Sequence, residues 1–261
     1  MKLLVADIGG TNARFAYQEK NNGELSNFSY LKCNDFENIY DAIEYYQQTN
    51  NLDIESMSIA LASHTTKDAI KFTNNHWKFK QSEIFKYFSL NKLIFVNDFV
   101  AQCLSLGSFY KDISENRAIN DKLLGKYDLK TIRSGTPTKN SPLLVSGPGT
   151  GLGVCTLLNI NNHPIAIEGE GGHSSFAPNS DIEIELLQFL RKKYNHVSYE
   201  RIVSGSGIEE IYEFICYINK SPSEGLKGPV IGNNALKGEP KAHDTIKLFF
   251  SVLGTIISSV I

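Results

Sequence analysis

The chain has 261 residues, 41% of them hydrophobic and 21% charged, enough to bury one large core or two modest ones. A net charge of −2 gives no basic footprint for nucleic acid or an anionic membrane. No apolar run reaches transmembrane length, the start MKLLVADIGG lacks a signal-peptide core, and the scattered Cys33, Cys103, Cys155 and Cys216 form no CxxC, so the expectation is a soluble cytoplasmic protein with reduced thiols.

In chain order, Leu3 to Tyr17 reads as a β-hairpin: an apolar run, an acid, two glycines, a hydroxyl and a second apolar run. Asp7, Gly9, Gly10 and Thr11 stand at its tip. Gly9 and Gly10 lack Cβ, so their backbone N–H groups can approach a bound oxyanion, and Asp7 can hold a cation or its water shell. Phe28 to Cys33 predicts a third strand, and Asp35 is placed to cap a helix running to Gln48. Ser56 to Ala62 alternates as a strand, Asp68 to Phe72 predicts another, and Gln81 to Phe88 a short helix. The fully apolar Leu93 to Val96 predicts a central strand, with Asn97 and Asp98 at its C-terminal end opening a helix through Leu106.

From Tyr110 to Ser141 the chain is polar, with Asn116, Asn120, Asp121, Gly125, Gly135, Pro137 and Asn140. It reads as an irregular crossover between a domain over residues 1–110 and a second over 111–261. A second hairpin follows at Leu143 to Ile160, joined by Ile165 to Ile167. Its turn, Gly147 to Gly153, repeats the grammar of the first, so two related halves are expected to aim their turns at one polyphosphate. The strand that follows rules out a dinucleotide fingerprint, and no GxxxxGK[ST] is present. Asn179 or Ser180 is expected to cap a helix from Ile182 to Tyr194; helices near Ile208 to Ile218 and from Ala242 onward complete the chain.

Three further groups carry chemistry. Asp98 can accept a hydroxyl proton, or it can serve only as a helix cap. Glu170 and His173 stand among glycines in Glu168-Gly169-Glu170-Gly171-Gly172-His173, a polar loop with little bulk. Glu200 reads as a solvated helix residue when taken alone.

These stretches together carry a resemblance. ADIGGTNARFA at Ala6 to Ala16, FTNNHWKF at Phe72 to Phe79, VNDFVA at Val96 to Ala101, GPGTGLGV at Gly147 to Val154, EGEGGHSSFAPNS at Glu168 to Ser180 and HVSYERIVSGSGI at His196 to Ile208 resemble the bacterial glucokinases. The resemblance implies an α/β fold of two actin-like (ribonuclease-H-like) domains around a cleft, and transfer of the ATP γ-phosphoryl group to the 6-hydroxyl of glucose. It implies Asp98 as base, and Asn97, Asp98, Glu170, His173 and Glu200 as sugar ligands. The backbone of Ala6, Asp7, Ile8, Gly9, Gly10 and Thr11, with Gly149, Thr150 and Gly151, would hold the phosphates of ATP and its Mg²⁺. It implies no nucleic-acid or membrane partner and leaves room for a homodimer. The cysteine cluster that accompanies such a His in zinc-binding sugar kinases is absent, so no metal is assigned to His173.

Two departures stand out. Ser63-His64 replaces the proline usual in the loop after Ser56 to Ala62. The chain also stops at Ile261 inside an apolar helical pattern, where glucokinases continue with a strand, a Gly-Gly turn at the adenosine and a last helix. The expectation is an incomplete second domain with an incomplete adenosine site. The competing readings are a catalytically impaired sugar-binding remnant and, more remotely, another actin-like ATPase, which would not need Glu170, His173 and Glu200.

Overall fold

Six residues of alternating burial, with Leu4, Ala6 and Ile8 inward, make β1 (Leu3–Ile8), and β2 (Asn12–Gln18) returns antiparallel to it with Ile8 opposite Ala13. This computed structural model describes residues 2–19, 23–63, 65–72, 75–116, 121–135, 138, 141–161 and 163–259. It contains two units, Met1–Ser105 and Leu106–Ile261, each with its own core.

In the first unit, β3 (Ser26–Lys32) pairs with β2, and a one-turn 3-10 helix over Cys33–Asp35 leads to α1 (Ile39–Asn50). The cap of α1 is Asn38, whose side chain accepts from the Asp41 N–H at 3.1 Å; Asp35 is spent in the 3-10 turn, three residues too early. β4 (Ser56–Leu61) lies parallel to β1, and β5 (Ala69–Lys71) and β6 (Lys78–Lys80) form a small separate ribbon. α2 (Gln81–Tyr87), β7 (Lys92–Asn97) and α3 (Asp98–Ser105) close the unit.

The five-stranded sheet has the order β3-β2-β1-β4-β7. β7 is therefore an end strand among those described, not the central strand its apolar run predicts, and Ile94 is exposed there. The parallel registers set Ile8 beside Leu61 and Leu61 beside Asn97. Consequently the first hairpin turn and Asp98 emerge at the same end of one sheet, the end at which parallel sheets gather ligands.

The polar stretch after Tyr110 is not irregular throughout. It contributes α4 (Gly107–Asn116) and α5 (Asp121–Lys126), and Phe109, Tyr110 and Ile113 give α4 a buried face at helical spacing. The predicted features at Asn120, Pro137 and Asn140, like His64, lie outside the described residues. A three-stranded antiparallel sheet of order β10-β9-β8 follows: β8 (Leu143–Pro148), β9 (Leu152–Ile160) and β10 (His163–Gly169).

The remaining elements are α6 (Asp181–Leu190), α7 (Tyr199–Ile202), α8 (Gly205–Ile218), α9 (Gly228–Leu236) and α10 (Pro240–Ser259). Leu186, Phe214, Ile215, Val252 and Ile256 pack together in their core, while Phe250 is left exposed. Neither Asn179 nor Ser180 caps α6 with its side chain. Instead the buried Glu183 reaches back to accept from the Asn179 N–H at 2.7 Å and from Ser251 Oγ on α10 at 3.1 Å. All four cysteines are buried free thiols. Among the described residues no helix is long and apolar enough to cross a membrane.

Candidate active site

The first unit gathers its candidate residues at two strand ends. In the β1–β2 turn the Gly9 N–H donates to the Asn12 carbonyl at 2.9 Å, so it closes the hairpin and is not offered to a ligand. Among the described residues no protein group accepts from the N–H of Gly10 or Thr11. Ala6 and Ile8 are core residues, so only their backbone can face a ligand. Asp7 is met by Arg14 Nη1 at 2.7 Å; the two stand directly across the hairpin. That pairing is the consequence of a short Gly turn, and Arg14 was readable from the register alone.

At the end of β7, Asn97 and Asp98 divide the labour. Asn97 Oδ1 accepts from the N–H groups of Phe99 at 2.9 Å and Val100 at 3.2 Å, so Asn97 is the residue that caps α3. Asp98 Oδ1 accepts from the Phe99 N–H at 2.8 Å. Burial pushes the Asp98 carboxyl above the ordinary carboxylate range, the Phe99 N–H opposes that shift, and the charge of Asp7 adds to it. Burial wins over the helix N-terminus, and the result is a carboxylate with raised proton affinity.

The second unit assembles three polar side chains around the β8–β9 turn. Gly149, Thr150 and Gly151 form the turn, with the Gly149 N–H donating to the Gly151 carbonyl at 2.8 Å. The loop carrying Glu170 and His173 lies directly on β9, and its glycines allow this. A Cβ on Gly172 would overlap the Leu152 carbonyl, and one on Gly171 would press on Val154 at 3.1 Å. The segment before α7 is laid beside this loop by the Phe176 N–H to Val197 carbonyl bond at 2.9 Å and the Tyr199 N–H to Ser174 carbonyl bond at 3.0 Å.

Glu200 thereby reaches the turn. Its Oε2 accepts from the Leu152 N–H at 2.9 Å, and its carboxylate occupies the space a side chain at Gly151 would need. His173 sits between two acids, with Nε2 3.6 Å from Glu170 Oε2 and Nδ1 3.9 Å from Glu200 Oε1. Glu200 is thus not a solvated helix residue; it is the first-turn acid of α7 aimed at the Gly turn. His173 and Glu170 are more than half exposed, open to a hydroxyl-rich ligand.

Two hairpins with Gly turns, a half-buried acid at a strand end, and an acid–imidazole–acid group fit a sugar kinase of the actin-like class. The family profile described as Glucokinase matches residues 4–261, and the chain belongs to the glucokinase family, a family of ATP-dependent hexose kinases. The Campylobacter jejuni subsp. doylei glucokinase is 37% identical over 256 residues, covering 97% of this chain and 72% of that protein. Among solved structures, a glucokinase from an Antarctic psychrotroph superposes with a TM-score of 0.77 at 30% identity, over 97% of this chain and 76% of that one. A Balamuthia mandrillaris glucokinase, solved in complex with glucose, gives a TM-score of 0.75 at 23% identity, over 99% and 75%.

Proposed function

We propose that this chain phosphorylates glucose at its 6-hydroxyl, with ATP as the donor, and that Asp98 is the general base. The Asp98 carboxylate accepts the 6-hydroxyl proton as that oxygen attacks the γ-phosphorus in line. The bond from the γ-phosphorus to its bridging oxygen breaks, and ADP leaves. Asn97 has its amide oxygen committed to the α3 cap, so its Nδ2 donates to a sugar hydroxyl.

In the second unit Glu170 and Glu200 accept from sugar hydroxyls, and His173 donates or accepts between them. The turns at Gly10-Thr11 and Thr150-Gly151 offer N–H groups to the phosphates, and Mg²⁺ arrives with ATP, held largely by phosphate oxygens and water. A cytoplasmic setting, where ATP is supplied, accords with membership of an ATP-dependent kinase family.

The observation that carries the reading is Asp98: a half-buried carboxylate of raised proton affinity, at the strand end where the first Gly turn also emerges. A base must hold the proton it takes, and burial supplies that affinity. Family membership and the glucose held by the Balamuthia relative support the choice of sugar. The test is glucose-dependent formation of ADP and glucose 6-phosphate by this chain and by Asp98→Asn. Turnover that is equal in both removes Asp98 from the role. Phosphorylation of water alone, with no response to glucose, removes the sugar.

A further inference from the structure

The Gly9 carbonyl is held from behind. Asn75 Nδ2 donates to it at 3.2 Å, and the buried Cys33 Sγ lies 3.8 Å from it in donor geometry. Asn75 is itself fixed, because its Oδ1 accepts from the Trp77 N–H at 3.0 Å and Trp77 is fully buried, with its indole N–H donating to the Phe36 carbonyl at 3.3 Å. The Gly9 carbonyl and the Gly10 N–H belong to one planar trans peptide, so they point in opposite directions. A carbonyl pinned toward Asn75 and Cys33 turns the Gly10 N–H outward. The second unit repeats the device: the Gly205 N–H donates to the Gly149 carbonyl at 2.8 Å, which turns the Thr150 N–H away from the protein.

We infer that Asn75 is a positioning residue for phosphate binding: by clamping the Gly9 carbonyl it presents the Gly10 N–H to an anionic oxygen of the nucleotide. This rests on the reading that the first turn holds phosphate. Asn75 touches no substrate. It acts by removing the freedom of one peptide unit to flip, so the donor is aimed before the ligand arrives. The same residue explains why a side chain 66 positions from Gly9 matters to that turn.

Asn75→Asp is the discriminating variant. It keeps an oxygen for the Trp77 N–H but sets a second acceptor against the Gly9 carbonyl. MgATP binding and glucose binding are measured separately by calorimetry, with the Gly10 amide resonance followed by NMR. MgATP affinity should fall on the order of 10- to 100-fold, the range of one hydrogen bond to a charged group, while glucose affinity stays within about twofold. In the wild type the Gly10 amide proton should shift downfield with MgATP, and the shift should be lost in the variant.

Asn75→Ala removes the donor without the repulsion and should show a smaller loss in the same direction. Unchanged MgATP affinity and an unchanged Gly10 response in both variants overturn the inference, as does equal weakening of MgATP and glucose. A wild-type Gly10 amide that ignores MgATP while glucose still binds overturns the phosphate reading itself, and the inference with it.

Discussion

Gly151→Ala should weaken glucose binding even though Gly151 belongs to the turn we propose for phosphate. A Cβ there would overlap Glu200 Oε2 and stand 2.9 Å from Glu200 Cδ, nearer than carbon atoms tolerate. The obstacle is an acid anchored by the Leu152 N–H, so the carboxylate must swing off that donor. A hydrogen bond to a charged group contributes about 1.5–3 kcal/mol. The Glu200 side chain is 32% exposed, so water recovers part of the loss, and about 1–2 kcal/mol remains. That converts to roughly 5- to 30-fold weaker glucose binding. The assay is calorimetry with glucose in the absence of nucleotide. Gly149→Ala is the control, since a Cβ there meets nothing within 4 Å and should leave glucose affinity alone. Wild-type glucose affinity in Gly151→Ala, or an equal loss in Gly149→Ala, would show that Glu200 is not seated on Gly151.

Asp98→Asn should lower kcat by about 10²–10⁴-fold with glucose affinity little changed, as measured in a coupled assay beside calorimetry. The acidic limb of the wild-type rate profile should lie above the ordinary carboxylate range, because Asp98 works ionised and burial raises its pKa. The stability sign is opposite. A carboxyl whose folded pKa is raised costs nothing below its unfolded pKa; the cost grows as pH rises from there and is complete above the folded pKa. Asp98→Asn should therefore melt no lower than wild type at neutral pH, with any advantage disappearing in acid; a lower melting temperature at neutral pH would contradict the burial argument. Glu183→Ala strips the Asn179 N–H and Ser251 Oγ of their buried partner and should cost about 2–3 kcal/mol, read as faster hydrogen exchange in α6 and α10, with Glu183→Gln milder. Equal exchange in the Ala variant and wild type would remove that role.

The two hairpins were legible because their signal is local. Gly9-Gly10 and Gly149-Thr150-Gly151 each sit between apolar runs, and a short turn fixes the register by itself. The β7–α3 junction was legible for the same reason, an apolar run broken by Asn97-Asp98. Within it, however, the sequence offers two capping residues in a row and does not say which takes the cap. The structure resolves this through backbone geometry: Asn97 Oδ1 reaches the N–H groups of both Phe99 and Val100, while Asp98 Oδ1 shares the Phe99 N–H. The helix α4 was hidden because its buried face rests on Phe109, Tyr110 and Ile113, and single-face signals fade in a polar stretch. α9 was hidden because it opens on Gly228-Pro229, which reads as a break although proline suits a first helical turn.

What sequence could not supply were the partnerships between distant segments. Glu200 taken alone is a charged residue near a helix start, and nothing local distinguishes it from a solvated one. Its role becomes physical only when Gly151 removes a side chain, Leu152 offers an N–H, and the Ser174–Phe176 strand contact carries α7 to β9. Gly151 then has two reasons to be glycine, one facing outward and one facing Glu200. The second is the stronger, because a Cβ has one direction to take and there it would meet the Glu200 carboxylate. The acid proposed for the sugar and the turn proposed for phosphate therefore meet at one backbone position in the second unit. A substrate that shifts Glu200 must also load the Leu152 N–H and the turn before it.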